Sequence, residues 1–328
     1  MAMTYRKLGS SGLKVSSLSF GSWVTFGRQM DVAAASKLMA TAYDAGITLF
    51  DNAEGYESGR AEQIMGEALK QLAWRRDSYV LTTKVFFGLD AAAPKPTQLG
   101  LSRKHIFEAC HNALRRMQVD HLDLYYAHRA DPDTPILETV RAMSDLVTQG
   151  KILYWGTSQW PAEKIIEAHQ VAERWRLVAP TMEQPEYNLI TRKKVEEEFK
   201  PIYECYGMGL TTFSPLACGL LTGKYMDGIP SGSRFDLSGY EWLLKTMDPA
   251  GPVPGVIRQF VDLSRRVGVS PARLAVAWCL VNPRVSSVIL GATRVEQLTE
   301  NLKALDDVAL LTPDVLAELD RIMAPARS

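Results

Sequence analysis

The chain has 328 residues, 46% of them hydrophobic and 23% charged, with 37 Lys and Arg against 37 Asp and Glu. That composition builds a large globular core, and a zero net charge exerts no general pull toward nucleic acid or an acidic partner. No run of about 18 apolar residues is present, so no membrane-spanning helix is expected, and the amino terminus lacks the apolar stretch of a secretory signal.

In chain order, Tyr5–Leu8 and Leu13–Val15 flank a Gly-Ser-Ser-Gly turn and read as a hairpin. Ser16–Phe20 is the first of eight strands, followed by a helix that Asp31 caps and Gly46 stops. Further strands are expected at Ile47–Phe50, Tyr79–Lys84, Leu122–Ala127, Lys151–Gly156, Pro180–Glu183, Gly209–Phe213 and Ser287–Leu290. Helices are expected near Gly59–Leu72, from Ser102 to Met117, over Pro135–Gln149 and Lys193–Tyr206, and over Pro161–Arg174 with Pro161 at the first helical position. Residues from Pro215 to about Pro254 form a long Gly, Ser and Pro-rich loop. Helices then follow at Val256–Val267, Pro271–Val281, Arg294–Leu305 and Pro313–Met323. Eight strands alternating with helices predict parallel pairing, right-handed crossovers and a closed (β/α)8 TIM barrel, with the hairpin ahead of it and the long loop after strand seven. No composition shift marks a second domain, so residues 1–328 read as one. Cys110, Cys205, Cys218 and Cys279 are far apart and are read as reduced thiols of a cytoplasmic protein, with no metal site.

In such a barrel, polar residues at carboxyl ends of strands line the active face. Asp51 ends the second strand and Tyr56 follows it; Lys84 ends the third strand and His128 the fourth. Singly, each has a plain structural alternative, such as a capping Asp or a Tyr packed at the rim. Together they read as a self-consistent site for carbonyl reduction. Tyr56 is the general acid, and the Lys84 ammonium is expected to lower its pKa. Asp51 keeps the lysine charged, and His128 orients the carbonyl oxygen. None of the four delivers hydride, so a cofactor must.

Phe50-Asp-Asn-Ala-Glu-Gly-Tyr56, the Lys84 strand and Asp123-Leu-Tyr-Tyr-Ala-His128 resemble the aldo-keto reductase superfamily over nearly the whole chain. Gly21-Ser-Trp-Val-Thr-Phe-Gly27, Trp155-Gly-Thr-Ser158, Ser214-Pro-Leu-Ala-Cys-Gly219, Ala277-Trp-Cys-Leu280 and the stretch from Leu290 to Asn301 are similar to the branch containing voltage-gated potassium channel β-subunits. Those subunits carry Asn where this chain has His128, which favours a working enzyme over a redox-sensing, NADPH-binding regulator. The resemblance implies NADPH without a Rossmann domain and a small carbonyl substrate. It also implies a homo-oligomer, and it leaves a channel as a further partner.

By matching motif, it implies that Gly21, Ser22, Trp23, Gln29 and Asp51 lie near the nicotinamide. Ser158, Gln159 and Gln184 would lie at its carboxamide, and Ser214, Pro215, Leu216, Ala217, Cys218 and Gly219 along the pyrophosphate. Lys224 and Arg234 would close over the phosphates, and Gly291, Thr293, Arg294, Gln297, Glu300 and Asn301 would take the adenosine end. Two cations in a Gly-rich loop suit a polyphosphate, and a helix starting near Arg294 suits the 2′-phosphate of NADPH. Lys224 and Arg234 equally read as a solvated loop pair without the resemblance. His105, His111 and His169 are read as surface residues. Trp23 and Trp160 are read either as pocket walls or as rim packing.

Overall fold

The computed structural model describes residues 2–90, 92–238 and 253–327. The hairpin pairs β1 (Tyr5–Lys7) with β2 (Lys14–Ser16). Eight parallel strands then close a barrel: β3 (Leu18–Gly21), β4 (Leu49–Asp51), β5 (Val80–Val85), β6 (Leu122–Ala127), β7 (Ile152–Ser158), β8 (Met182–Gln184), β9 (Gly209–Thr212) and β10 (Val285–Leu290). They neighbour one another in chain order, and β10 returns to pair with both β9 and β3.

Side chains alternate across a strand, so residues two apart share a face. Leu49, Val80, Leu124, Tyr126 and Met182 form one apolar tier inside the barrel together with Leu8 and Val15 of the hairpin. The hairpin therefore floors the barrel, and its Arg6 guanidinium donates to the carbonyls of Leu280 and Val285 at 2.7 Å each. Two residues beyond Leu49 comes Asp51, and two beyond Thr82 comes Lys84. The period that packs the floor thus carries these polar residues inward at the opposite mouth.

The outer helices follow their sequence signals. In α1 (Val32–Asp44) the Asp31 carboxylate accepts from the Ala34 amide, and Gly46 beyond its end takes φ 91°. The Ser102 hydroxyl caps α3 (Arg103–Met117), and Pro271 opens α8 (Pro271–Val281). Between lie α2 (Arg60–Leu72), α4 (Ile136–Thr148), α5 (Ala162–Trp175), α6 (Lys200–Tyr206) and α7 (Val253–Val267). Beyond α8 come α9 (Val295–Leu302), α10 (Ala304–Asp307) and α11 (Pro313–Met323).

Some boundaries differ from expectation. The helix expected over Lys193–Tyr206 is two pieces, a π turn at Lys194–Glu198 and then α6. Pro201 has no amide hydrogen and clashes with the carbonyl four residues back, so the ladder re-forms around it. Pro161 is the N-cap of α5 rather than its first residue, with φ −64° and ψ 147°. The stretch expected as Arg294–Leu305 breaks after Leu302 into α9 and the short α10. Part of the long loop expected to Pro254, residues 239–252, lies outside the described residues.

Candidate active site

Asp51, Lys84 and His128 arrive from three adjacent strands, and Tyr56 from the turn after the first of them. That turn is held in an unusual shape: Glu57 and Ser58 have φ 46° and 54°, and Gly59 has φ 84°. Such values outside glycine cost energy and persist where the surroundings over-determine them.

The Lys84 ammonium donates to Asp51 Oδ2 at 2.6 Å, to the Asn52 carbonyl at 2.7 Å and to the Tyr56 hydroxyl oxygen at 3.3 Å. An ammonium has three hydrogens and accepts nothing, so the phenol oxygen is the acceptor. The phenol's own hydrogen stays available for a ligand. Asp51 is fully engaged: Thr82 Oγ1 and Gln184 Nε2 donate to Oδ1 at 2.7 and 3.0 Å. The Lys84 and Asp51 side chains are 0% and 5% exposed, so the pair sits in a low dielectric.

Burial, together with the Asp51 carboxylate, pushes the Tyr56 phenol well above its ordinary value, while Arg129 pulls weakly the other way. The expected lowering by Lys84 is therefore overturned. The ammonium's charge is already balanced by Asp51, and desolvation of the phenolate decides the direction. Burial likewise lowers Lys84, with Asp51 opposing. Burial and the charges of Lys84 and Arg129 hold the His128 ring well below its usual range, hence neutral. Among the described residues its buried Nδ1 has no hydrogen-bond partner, and the ring meets Tyr56 edge-on with centroids 6.0 Å apart.

The other half of the mouth is cationic. After β9 the chain runs through left-handed residues that are not glycine, Ser214 (φ 54°), Ala217 (45°) and Cys218 (56°). Lys224 folds back on this turn: a Cβ on Gly219 would stand 3.0 Å from its Nζ. Arg234 reaches across to β10 and β3. Its Nη2 would lie 3.9 Å from a Cβ on Gly291, and its Cζ is 5.0 Å from the Trp23 ring centroid. Among the described residues neither cation pairs with a carboxylate. Burial and the neighbouring Arg234 both lower Lys224. An exposed lysine and a partly buried arginine facing one another disfavour each other until an anion sits between them. The residues present thus fit a polyphosphate.

A sequence profile of the Aldo/keto reductase family matches residues 17–324. The chain belongs to the aldo/keto reductase family. A protein of Oryza sativa subsp. japonica named "Probable voltage-gated potassium channel subunit beta" is 50% identical over 325 residues, covering 98% of this chain and 97% of its own length. One of Arabidopsis thaliana with the same name is 51% identical over 325 residues, with the same coverage. Aldo/keto reductases generally use NAD(P)H, and membership supports an oxidoreductase.

Several expected cofactor contacts have other commitments in this aldo/keto reductase. Gln184 spends its amide hydrogens on Asp51 and, at 3.4 Å, on Thr211, leaving its carbonyl oxygen as an acceptor. The Ser158 hydroxyl donates to the Gln184 backbone carbonyl at 2.9 Å and retains only lone pairs. Gln159, at φ 58°, accepts from Lys194 through both its carbonyl and its side-chain oxygen. Ser22 is buried with its hydroxyl on the Asp51 carbonyl, and Gly21 is needed because a Cβ would meet Ile289 Cγ2 at 2.7 Å. Gln29 is exposed on the turn before α1. Gln297 Oε1 accepts from the amide and hydroxyl of Thr293, which removes one amide expected for an anion. Glu300 ties α9 to α8 through Ser270 and binds Lys303, Asn301 is buried, and Arg294 is exposed at the start of α9.

Other residues were misread or missed. His105 is buried, not a surface residue: its Nδ1 bonds the Gly100 carbonyl at 2.9 Å and its Nε2 lies 3.4 Å from Glu54. Against the pull of burial, Glu54 raises its pKa. Glu54 also accepts from the Phe86 and Gly88 amides, which fixes the loop after β5 beside His128. His169 is buried and stacked on Tyr206 with centroids 4.0 Å apart. The spacing of Ile165, Ala168, His169 and Ala172 follows one helix face and carried that signal. Trp160 is packing, its indole donating to the Ala127 carbonyl, whereas Trp23 stands at the mouth.

Glu183 passed unnoticed in the sequence. It is fully buried on β8 beside Gln184 and accepts from Thr157 at 2.5 Å, with the Gln159 and Trp160 amides also near its carboxyl. Burial pushes its carboxyl up to about 7, against the opposing Thr157 hydrogen bond, the Lys194 charge and the Gln159 and Trp160 amides. A raised folded-state pKa means the native state holds the proton more tightly than the unfolded chain. Stability is therefore lost as pH rises from the ordinary carboxyl range through about 7. Glu183→Gln is expected to unfold at higher urea than the native protein at pH 8, by up to roughly 3 kcal/mol, and to match it near pH 5. An equal gap at both pH values would remove the assignment.

Proposed function

We propose that the chain is an NADPH-dependent reductase of aldehydes and ketones. The observation that carries this reading is the bonding of Lys84. Its three hydrogens go to Asp51, Asn52 and Tyr56, which leaves the phenol hydrogen free to be donated to a ligand. NADPH, when bound, supplies the hydride. Tyr56 donates its proton to the carbonyl oxygen as that oxygen gains charge. Its raised pKa keeps the donor protonated throughout the neutral range. A neutral His128 hydrogen-bonds the same oxygen and holds it at the phenol. Asp51 and Lys84 fix the phenol while cancelling each other's charge. Ser158 and Gln184 offer acceptors that suit the N–H groups of a carboxamide, and Lys224 and Arg234 take the phosphates.

The test is NADPH oxidation with a panel of aldehydes, alongside titration of NADPH and NADH by fluorescence. Lys224→Ala combined with Arg234→Ala is expected to weaken NADPH by about 10²-fold or more, since charge-assisted bonds contribute about 1.5–3 kcal/mol each. The loss should exceed that for NADH; equal losses would leave the 2′-phosphate without its partners. No oxidation with any aldehyde would overturn the reading.

The relatives' names favour a second reading, a cofactor-binding subunit that docks on a membrane channel. Capture of a channel together with negligible turnover would establish it; the complete set of four residues favours turnover. No described helix is long and apolar enough to cross a membrane, so the protein would meet such a partner from outside the bilayer. A cytoplasmic homo-oligomer goes with either reading.

A further inference from the structure

Arg129 follows His128 just beyond the end of β6. Its Nη1 donates to the His128 carbonyl at 2.5 Å, which turns the guanidinium back toward the backbone and holds it there with its other N–H groups free of that bond. Its Cζ lies 5.5 Å from the Phe87 ring centroid, and Phe87 meets the His128 ring at 5.1 Å. His128 in turn meets the Tyr56 ring at 6.0 Å. Guanidinium, benzyl ring, imidazole and phenol thus form one continuous wall. Phe87 is 45% exposed, so this wall faces open space.

The charge on that wall is uncompensated. Among the described residues Arg129 forms no ion pair, although it is only partly exposed. Asp51 is taken by Lys84. Glu183, the acid whose field reaches Arg129, is itself held protonated up to about 7. Burial lowers Arg129, with Tyr56 and then Glu183 opposing, so the guanidinium and the phenol lie within electrostatic range of each other. A guanidinium has five donor hydrogens in a planar fork that matches a carboxylate or phosphate. An exposed aromatic beside it suits a substrate with a flat apolar body.

We propose that Arg129 is a specificity-determining residue whose guanidinium binds an anionic group on the carbonyl substrate, with Phe87 packing on the part between. The protein then favours aldehydes or ketones that carry a negative charge remote from the carbonyl. This rests on the carbonyl-reductase reading.

The test compares 4-carboxybenzaldehyde with methyl 4-formylbenzoate, which differ chiefly in charge, using NADPH and the full chain. The native protein is expected to favour the carboxylate in kcat/KM by about tenfold or more, chiefly through KM. Arg129→Met should reduce that ratio to near one, and Arg129→Lys should retain part of it. Because the ratio is the readout, any common loss from a changed field at Tyr56 cancels. Running 4-formylphenyl phosphate in parallel separates a carboxylate preference from a phosphate preference. A native ratio near one, or a ratio unmoved by Arg129→Met, overturns the proposal. If neither aldehyde is reduced, the binding of 4-(hydroxymethyl)benzoate is measured by calorimetry. Weaker binding to Arg129→Met than to the native protein would keep the anion site while removing the reductase reading. Equal binding would overturn both.

Discussion

Tyr56→Phe is expected to lower aldehyde reduction by about 10²–10⁴-fold, the usual contribution of a positioned general acid, with NADPH affinity nearly unchanged. The phenol oxygen accepts from Lys84 at 3.3 Å, the longest of that ammonium's three bonds. Losing it leaves Lys84 with Asp51 and Asn52, so the fold should weaken by only about 1 kcal/mol. Loss of activity without loss of fold separates a proton donor from a packing residue. Single-turnover measurement with bound NADPH isolates the chemical step from release of product. Undiminished turnover would remove Tyr56 from the mechanism. The pH profile gives a second check. The phenol is pushed well above its ordinary value by burial and Asp51, so its ionisation should not limit the rate anywhere near neutrality.

Lys84→Met should act on fold and activity together. It leaves the Asp51 carboxylate buried with only Thr82 and Gln184 to bond it. Breaking one partner of a buried pair typically costs about 3–5 kcal/mol, measurable as a lower urea midpoint. Activity should fall with it, because Lys84 holds the phenol. Adding Asp51→Asn removes the stranded charge and should recover part of the stability, but none of the activity. A double variant as unstable as the sum of the singles would mean that the two side chains do not act as a pair.

Much of this site could be read in the sequence because alternation along a strand is a local rule. Asp51 and Lys84 share a face with Leu49 and Thr82 by spacing alone. Ionisable residues at three successive strand ends, with Tyr56 in the turn after the first, then mark one mouth of a closed barrel. The boundaries that moved did so for equally local reasons, as at Pro201. His105 and His169 were misplaced although their helical spacing put them on buried faces.

The sequence by itself determined the eight-strand alternation, the hairpin, the caps at Asp31 and Ser102, and the four residues at the mouth. Each follows from the spacing of neighbours along the chain. Only the tertiary structure decided the charge state of that mouth. Lys84 is balanced by Asp51 from another strand, and burial therefore raises the Tyr56 phenol where the ammonium alone would have lowered it. Glu183 is driven toward neutrality by the same burial, and Arg129 is left without a carboxylate among the described residues. A protonation state depends on how much water is excluded and on which distant charges remain in range, and no local pattern in the chain encodes either.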